Sequence, residues 1–179
     1  METYRVDVSS ILDVLGESIE VSDVLSLDAL DVGDEHFGLR APVRFDITLT
    51  NGGTGVVAMG SVVADVMATC SRCLIEFPMV IEADVDGYYV HPGDLENIPE
   101  EQEVEEIDHE GYIDVLPAIM SGLVLEAPFA PLHADDCAGL CPECGADLNE
   151  GSCSCSPKPD AENPFAALGA LLESEPEVK

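Results

Sequence analysis

The chain has 179 residues, enough for one domain or one domain with a small appendage. Six Lys and Arg against 37 Asp and Glu give a net charge of −31, while 46% hydrophobic residues exclude a disordered acidic tail and provide material for a core. Aromatics are only 5% and Trp is absent, so that core must rest on Val, Leu, Ile and Ala.

Residues 10–15 (Ser10, Ile11, Leu12, Val14, Leu15) read as a short helix-prone piece broken at Gly16, followed by a strand through Ile19 and Val21. Residues 41–50 alternate with period two: Val43, Phe45, Ile47 and Leu49 on one side, Arg44, Asp46, Thr48 and Thr50 on the other. Asn51-Gly52-Gly53 is a strong turn signal. Residues 55–69 read as the returning strand, with Gly60 marking a bulge or bend.

A third strand spans Leu74–Val90, with Ile75, Phe77, Met79, Ile81, Ala83 and Val85 on one face. Pro78 lies on its polar face and predicts an edge strand or a bulge. Cys70 and Cys73 fall between the second and third strands, at a hairpin tip where two thiols converge. Residues 94–110 hold nine acids and no Lys or Arg, which predicts a solvated loop, with docking to a partner as the other reading. Ile113, Leu116, Met120, Leu123, Val124 and Ala127 form a helical stripe, with Asp114 as its cap and Pro128 and Pro131 as its stop. Residues 133–157 are a Cys-rich loop. Lys158–Asn163 reads as a linker, and Asn163-Pro164 opens a short terminal helix carrying Phe165, Leu168, Leu171 and Leu172.

No apolar run reaches the ~18–20 residues of a membrane span. The start of the chain shows no basic stretch leading into an apolar one, so a cytoplasmic protein without a membrane role is expected. The basic residues Arg5, Arg40, Arg44, Arg72, Lys158 and Lys179 are scattered and form no stripe, which opposes direct binding to nucleic-acid phosphates. The field favours a cationic partner; acidity that serves only solubility is the alternative.

The seven cysteines carry the chemistry. An odd count fits a closed disulfide framework poorly, and in a reducing compartment clustered thiols bind metal or do redox work. Cys141-Pro-Glu-Cys144-Gly145 is the turn from which a zinc knuckle is built, and glycine after the second cysteine accepts the positive φ that such a turn tends to need. After eight intervening residues Cys153-Ser-Cys155 can supply two more thiolates, completing a closed structural site of Cys141, Cys144, Cys153 and Cys155. Iron in a rubredoxin-like site, a redox CxxC couple and free buried thiols are the rivals. Cys70 and Cys73 form a second pair whose nearest partners are Cys137 and His133, which would make a weaker second zinc site. Pairing Cys70 and Cys73 with Cys141 and Cys144 in one site is another arrangement, and a plain structural thiol pair a third. No phosphate loop, HExxH or GxSxG is present, and His36, His91, His109 and His133 are isolated in the sequence, so no enzyme is expected.

Together these strings resemble the YceD family: Cys-Ser-Arg-Cys-Leu74 after a long β run, an acidic interruption, Ile113-Asp-Val-Leu, Leu125-Glu-Ala-Pro, Leu132-His, then Gly139-Leu-Cys-Pro-Glu-Cys-Gly-Ala-Asp-Leu-Asn149 and Asn163-Pro-Phe. The resemblance covers roughly residues 40–173. It implies a role in accumulation of large-subunit ribosomal RNA through its synthesis, processing or stability. It also implies that Cys141–Cys155 form a self-contained metal site, apart from Cys70, Cys73 and Cys137.

The expected protein is α+β. An antiparallel sheet able to curl toward a barrel is packed by one main helix, with a C-terminal zinc loop and a short terminal helix. Residues 1–132 form the mainly β domain, 133–157 the zinc loop, and 158–179 the linker, terminal helix and acidic tail. The expected function is non-catalytic ribosome biogenesis through a basic ribosomal protein or pre-ribosomal particle, with one zinc ion and room for a second. A redox or electron-transfer protein is the alternative.

Overall fold

In the computed structural model the described residues are 3–33, 35–91, 93–94 and 104–155. The predicted linker, terminal helix and tail lie outside them. The elements run β1 (Arg5–Asp7), β2 (Ser18–Leu25), β3 (Ala29–Val32), β4 (Glu35–Leu39), β5 (Val43–Asn51), β6 (Val56–Thr69), β7 (Glu76–Val90), β8 (Glu105–Glu106), β9 (Tyr112–Asp114) and α1 (Leu116–Glu126).

The main sheet is an antiparallel meander of long arms. β2 pairs β5 from Ser18↔Thr50 to Leu25↔Val43, and β3 pairs β4 just beyond. β4 and β5 lie end to end along one edge of β6, with Arg40 donating its amide to Asp65 O across the break at Pro42. β6 pairs β7 without interruption from Val56↔Tyr89 to Thr69↔Glu76. Period-two alternation places Val43, Phe45, Ile47 and Leu49 beside Val62, Ala64, Val66, Ile81, Ala83 and Val85 in one core. The sheet is open. α1 packs on β7 and also touches β6 and β3. Among the described residues no helix is long and apolar enough to cross a membrane.

Several expectations change. Residues 9–16 form successive turns, not a helix: Ile11 donates to Val8 O, Glu17 to Val14 O, and Gly16 has φ 80°. One turn's worth of residues cannot repay helix nucleation. Gly60 marks no bulge, because the register runs straight through Ile47↔Gly60↔Val85. A Cβ there would collide with the Asp46 carbonyl, so its glycine serves close approach of β5.

The acidic stretch is not wholly a loop. Glu105–Glu106 pair in parallel with Tyr89–Val90, Ile107 is buried, and Asp108 accepts amides from Glu110 (2.8 Å) and Tyr112 (2.9 Å). Ile113 belongs to β9, which pairs β1. Asp114 Oδ1 accepts the Leu116 amide at 3.1 Å and the Tyr4 amide at 2.9 Å, although the N-cap position is Val115. α1 buries Ala118, Ile119, Gly122 and Leu123, while Val124 on the predicted stripe is exposed.

Candidate metal centres

The β6–β7 ladder ends at Thr69↔Glu76, so Cys70 and Cys73 sit in the hairpin tip. Two backbone bonds shape that tip: Cys70 N donates to Ile75 O and Leu74 N to Cys70 O, each at 2.8 Å. The loop at Cys141 repeats the pattern. Cys141 N donates to Ala146 O and Gly145 N to Cys141 O, again at 2.8 Å. Gly145 has φ 73°, and Leu74 takes the equivalent conformation at φ 63°. Both CxxC segments are therefore the same knuckle, one with its glycine and one without. The sequence pointed to the first through Gly145; Leu74 hid the second.

The inner set combines the hairpin tip with the segment after α1. Ser71 N donates to Pro131 O, Arg72 Nη1 to Cys137 O (2.9 Å), and Leu140 N to Arg72 O (3.1 Å). Cys70, Cys73 and Cys137 are buried among Phe77, Leu132 and Leu140. Cys70 and Cys137 sulfurs lie 3.8 Å apart, and His133 Nδ1 is 3.4 Å from both Cys70 and Cys73 sulfurs. Zn–S bonds of about 2.3 Å and Zn–N bonds of about 2.0–2.1 Å put the edges of a tetrahedron at about 3.8 Å for S···S and about 3.5 Å for S···N. These three distances of the inner set match those edges.

The outer set is Cys141, Cys144, Cys153 and Cys155, with Cys141 and Cys153 sulfurs 3.3 Å apart. In each set the four ligand atoms lie within 4.8 Å of one another. The arrangement keeps Cys70 and Cys73 with His133 and Cys137, and Cys141 and Cys144 with Cys153 and Cys155. The odd count of seven thiols thereby resolves into three plus an imidazole, and four. Only Cys141 of the outer set is buried; Cys144 and Cys155 are exposed.

The electrostatics divide each set. Burial alone would push the Cys70 thiol up, but the His133 ring and amides of His133, Cys73 and Arg72 hold it at about 5. At Cys73 the Ile75 amide pulls down, yet burial and the neighbouring Cys70 and Cys137 sulfurs push it up to about 11. Amides of Cys144 and Glu143, with Cys153, bring Cys141 down to about 7, whereas Cys144, burial and Cys141 push Cys155 up to about 12. Adjacent sulfurs cannot all carry charge unaided. A divalent cation removes that conflict, which is why these donors fit a metal.

A family described as "Large ribosomal RNA subunit accumulation protein YceD" matches residues 58–172, a stretch that encloses both sets. The uncharacterized protein Rv2926c of Mycobacterium tuberculosis (strain ATCC 25618 / H37Rv) is 31% identical over 125 residues, 69% of this chain and 56% of that one. The uncharacterized protein ML1660 of Mycobacterium leprae (strain TN) is 29% identical over 108 residues, 60% of this chain and 50% of that one. The chain thus spans about half the length of the curated relatives it matches. No solved structure matches it.

Proposed function

This chain belongs to the YceD family, and from that premise we propose that it is a non-catalytic factor in the accumulation of large-subunit ribosomal RNA. It works in the cytoplasm through a basic ribosomal protein or a pre-ribosomal particle, with a zinc ion in each Cys/His set. The observation that carries this reading is the family match across residues 58–172, which contains the hairpin tip and the Cys-rich loop in one stretch. Four protein ligands close a zinc site and leave no position for a reacting water, which supports structural metals rather than a catalytic one. Zinc supplies cross-linking here: the inner ion would tie the β6–β7 tip to the segment after α1 through Cys70, Cys73, His133 and Cys137, and the outer ion would close the loop through its four cysteines.

The charge of −31 supports a protein partner. The outward face of β5–β7 carries exposed Asp46, Glu82, Asp84 and Asp86, with Asp46 and Asp84 flanking Ser61 in register. Such a face repels phosphates and attracts Lys- and Arg-rich surfaces.

Depletion of the protein in its source organism tests the reading. Large-subunit rRNA should fall relative to small-subunit rRNA, wild-type chain should restore it, and Cys73→Ser with Cys137→Ser should not. An unchanged rRNA ratio after full depletion would contradict it.

A further inference from the structure

Asn149 lies in the outer loop, between Cys144 and Cys153, yet its side chain reaches the inner set. Its Oδ1 accepts the Ala138 amide at 2.7 Å, and its Nδ2 lies 3.6 Å from Cys137 Sγ. Asp147 holds it there: Asp147 Oδ1 accepts the Asn149 amide at 2.8 Å and Nδ2 at 2.7 Å. Asp147 is bridged to Leu140, Leu148 N donates to Gly139 O at 2.9 Å, and Leu140 N donates to Arg72 O in the inner knuckle. Hydrogen bonds therefore tie the outer loop, next to Cys141, to the inner set.

The loop that presents Asn149 is ordered by hydrogen bonds and by little burial. Among residues 141–155 only Cys141 is buried, and segments with few buried contacts open easily. A metal in the outer set would add four ligand bonds to the constraints on that loop. An N–H directed at a ligating sulfur fixes its orientation and steadies its charge, and such supporting bonds typically govern metal affinity by 10–100-fold.

We propose that Asn149 is a positioning residue that links the two centres. Metal at Cys141, Cys144, Cys153 and Cys155 holds Asn149 against Cys137, and the inner centre binds its own metal more tightly as a result. Thermodynamic linkage makes the effect reciprocal. The proposal rests on the reading that both sets hold metal.

The test is cobalt(II) titration of the full chain, because four thiolates and three thiolates with an imidazole give distinguishable visible spectra. Emptying the outer centre with Cys144→Ser and Cys155→Ser should weaken cobalt binding at the inner centre by about tenfold or more. Asn149→Ala should weaken it by a similar factor, and the combined variant should lose little beyond either alone. Asn149→Asp keeps an acceptor for Ala138 but has no N–H for Cys137, so it should also weaken the inner centre. Its matching the wild type would overturn the proposal, as would losses that simply add in the combined variant. Wild-type chain that binds two cobalt ions with an inner affinity indifferent to all these changes would overturn the link and leave the metal reading standing. Wild-type chain that binds none would overturn both.

Discussion

Leu74 holds a backbone conformation that L-residues avoid, at φ 63°, in a residue 64% exposed. The left-handed region costs a non-glycine residue about 1–2 kcal/mol, and an exposed leucine recovers little of that through packing. Leu74→Gly is therefore expected to keep the knuckle and leave stability unchanged or raised by up to about 1 kcal/mol, set against the greater freedom of glycine in the unfolded chain. Denaturant unfolding of the two proteins checks this; a loss above about 1 kcal/mol would mean the leucine side chain is needed.

The Tyr89 hydroxyl is buried without a hydrogen-bond partner among the described residues, and burial pushes its pKa above the usual phenol range. Removing an unsatisfied polar group relieves a desolvation cost of about 1–3 kcal/mol, so Tyr89→Phe should be neutral or stabilising in the same measurement. Asp108 behaves in the opposite sense. The Tyr112 amide, helped by the Glu110 amide and the Arg5 guanidinium, holds its carboxyl below the ordinary 3.8. A lowered folded-state pKa contributes stability that is complete above the unfolded value and disappears as pH falls through the folded one. The melting-temperature gap between wild type and Asp108→Asn should accordingly be open at pH 7 and close below about pH 4. A gap independent of pH would contradict this assignment.

At the scale of elements, α1 seats on β7 because Gly122 brings the helix backbone against the Asp84 carbonyl, where a Cβ would collide. Gly122→Ala gains about 1 kcal/mol of helix propensity. It meets an overpacking penalty of about 1–3 kcal/mol against backbone that has nowhere to go. A lower melting temperature is expected, with Gly151→Ala, where a Cβ would meet nothing within 4 Å, as the neutral control. Sequence periodicity caught the buried Leu123 and Ala127 and the half-buried Leu116 and Met120, but it follows large side chains: Val124 is exposed, and the buried face adds Ala118 and Gly122, whose small size sets the contact. Long strands were legible because one face of each is buried and alternation survives over many residues, as in Phe45, Ile47 and Leu49. β1, β8 and β9 were not, since two or three residues carry no period and their pairing comes from distant chain. The hairpin of β3 and β4 pairs only four residues a side around Gly33 (φ 61°), too few to show a period. In the two candidate sets, residue types and the outer spacing were readable from sequence. What joins His133 and Cys137 to the hairpin tip is tertiary: the Ser71–Pro131 and Arg72–Cys137 bonds.

The whole molecule is dominated by its charge, −31 over 179 residues. Arg44, the one base on the outward face of β5, lies 3.8 Å from Asp65. Screening limits this field to a Debye length of about 8 Å at physiological salt, so partner choice is decided at contact distance. The isolated chain should show no measurable affinity for large-subunit rRNA at physiological salt. It should bind a basic large-subunit ribosomal protein with an affinity that falls steeply as salt rises. Tight, zinc-dependent binding to an rRNA fragment would reverse that assignment and make the Cys-rich loop the RNA-reading element. The two zinc ions of the proposed function and the link through Asn149 presuppose two closed centres, and metal content tests them most directly. Native mass spectrometry of the chain, purified without added metal, should give the polypeptide mass plus two zinc ions, with all seven thiols unreactive until a chelator is added. A metal-free protein whose thiols titrate freely under native conditions, or a coloured iron-bearing one, would contradict it.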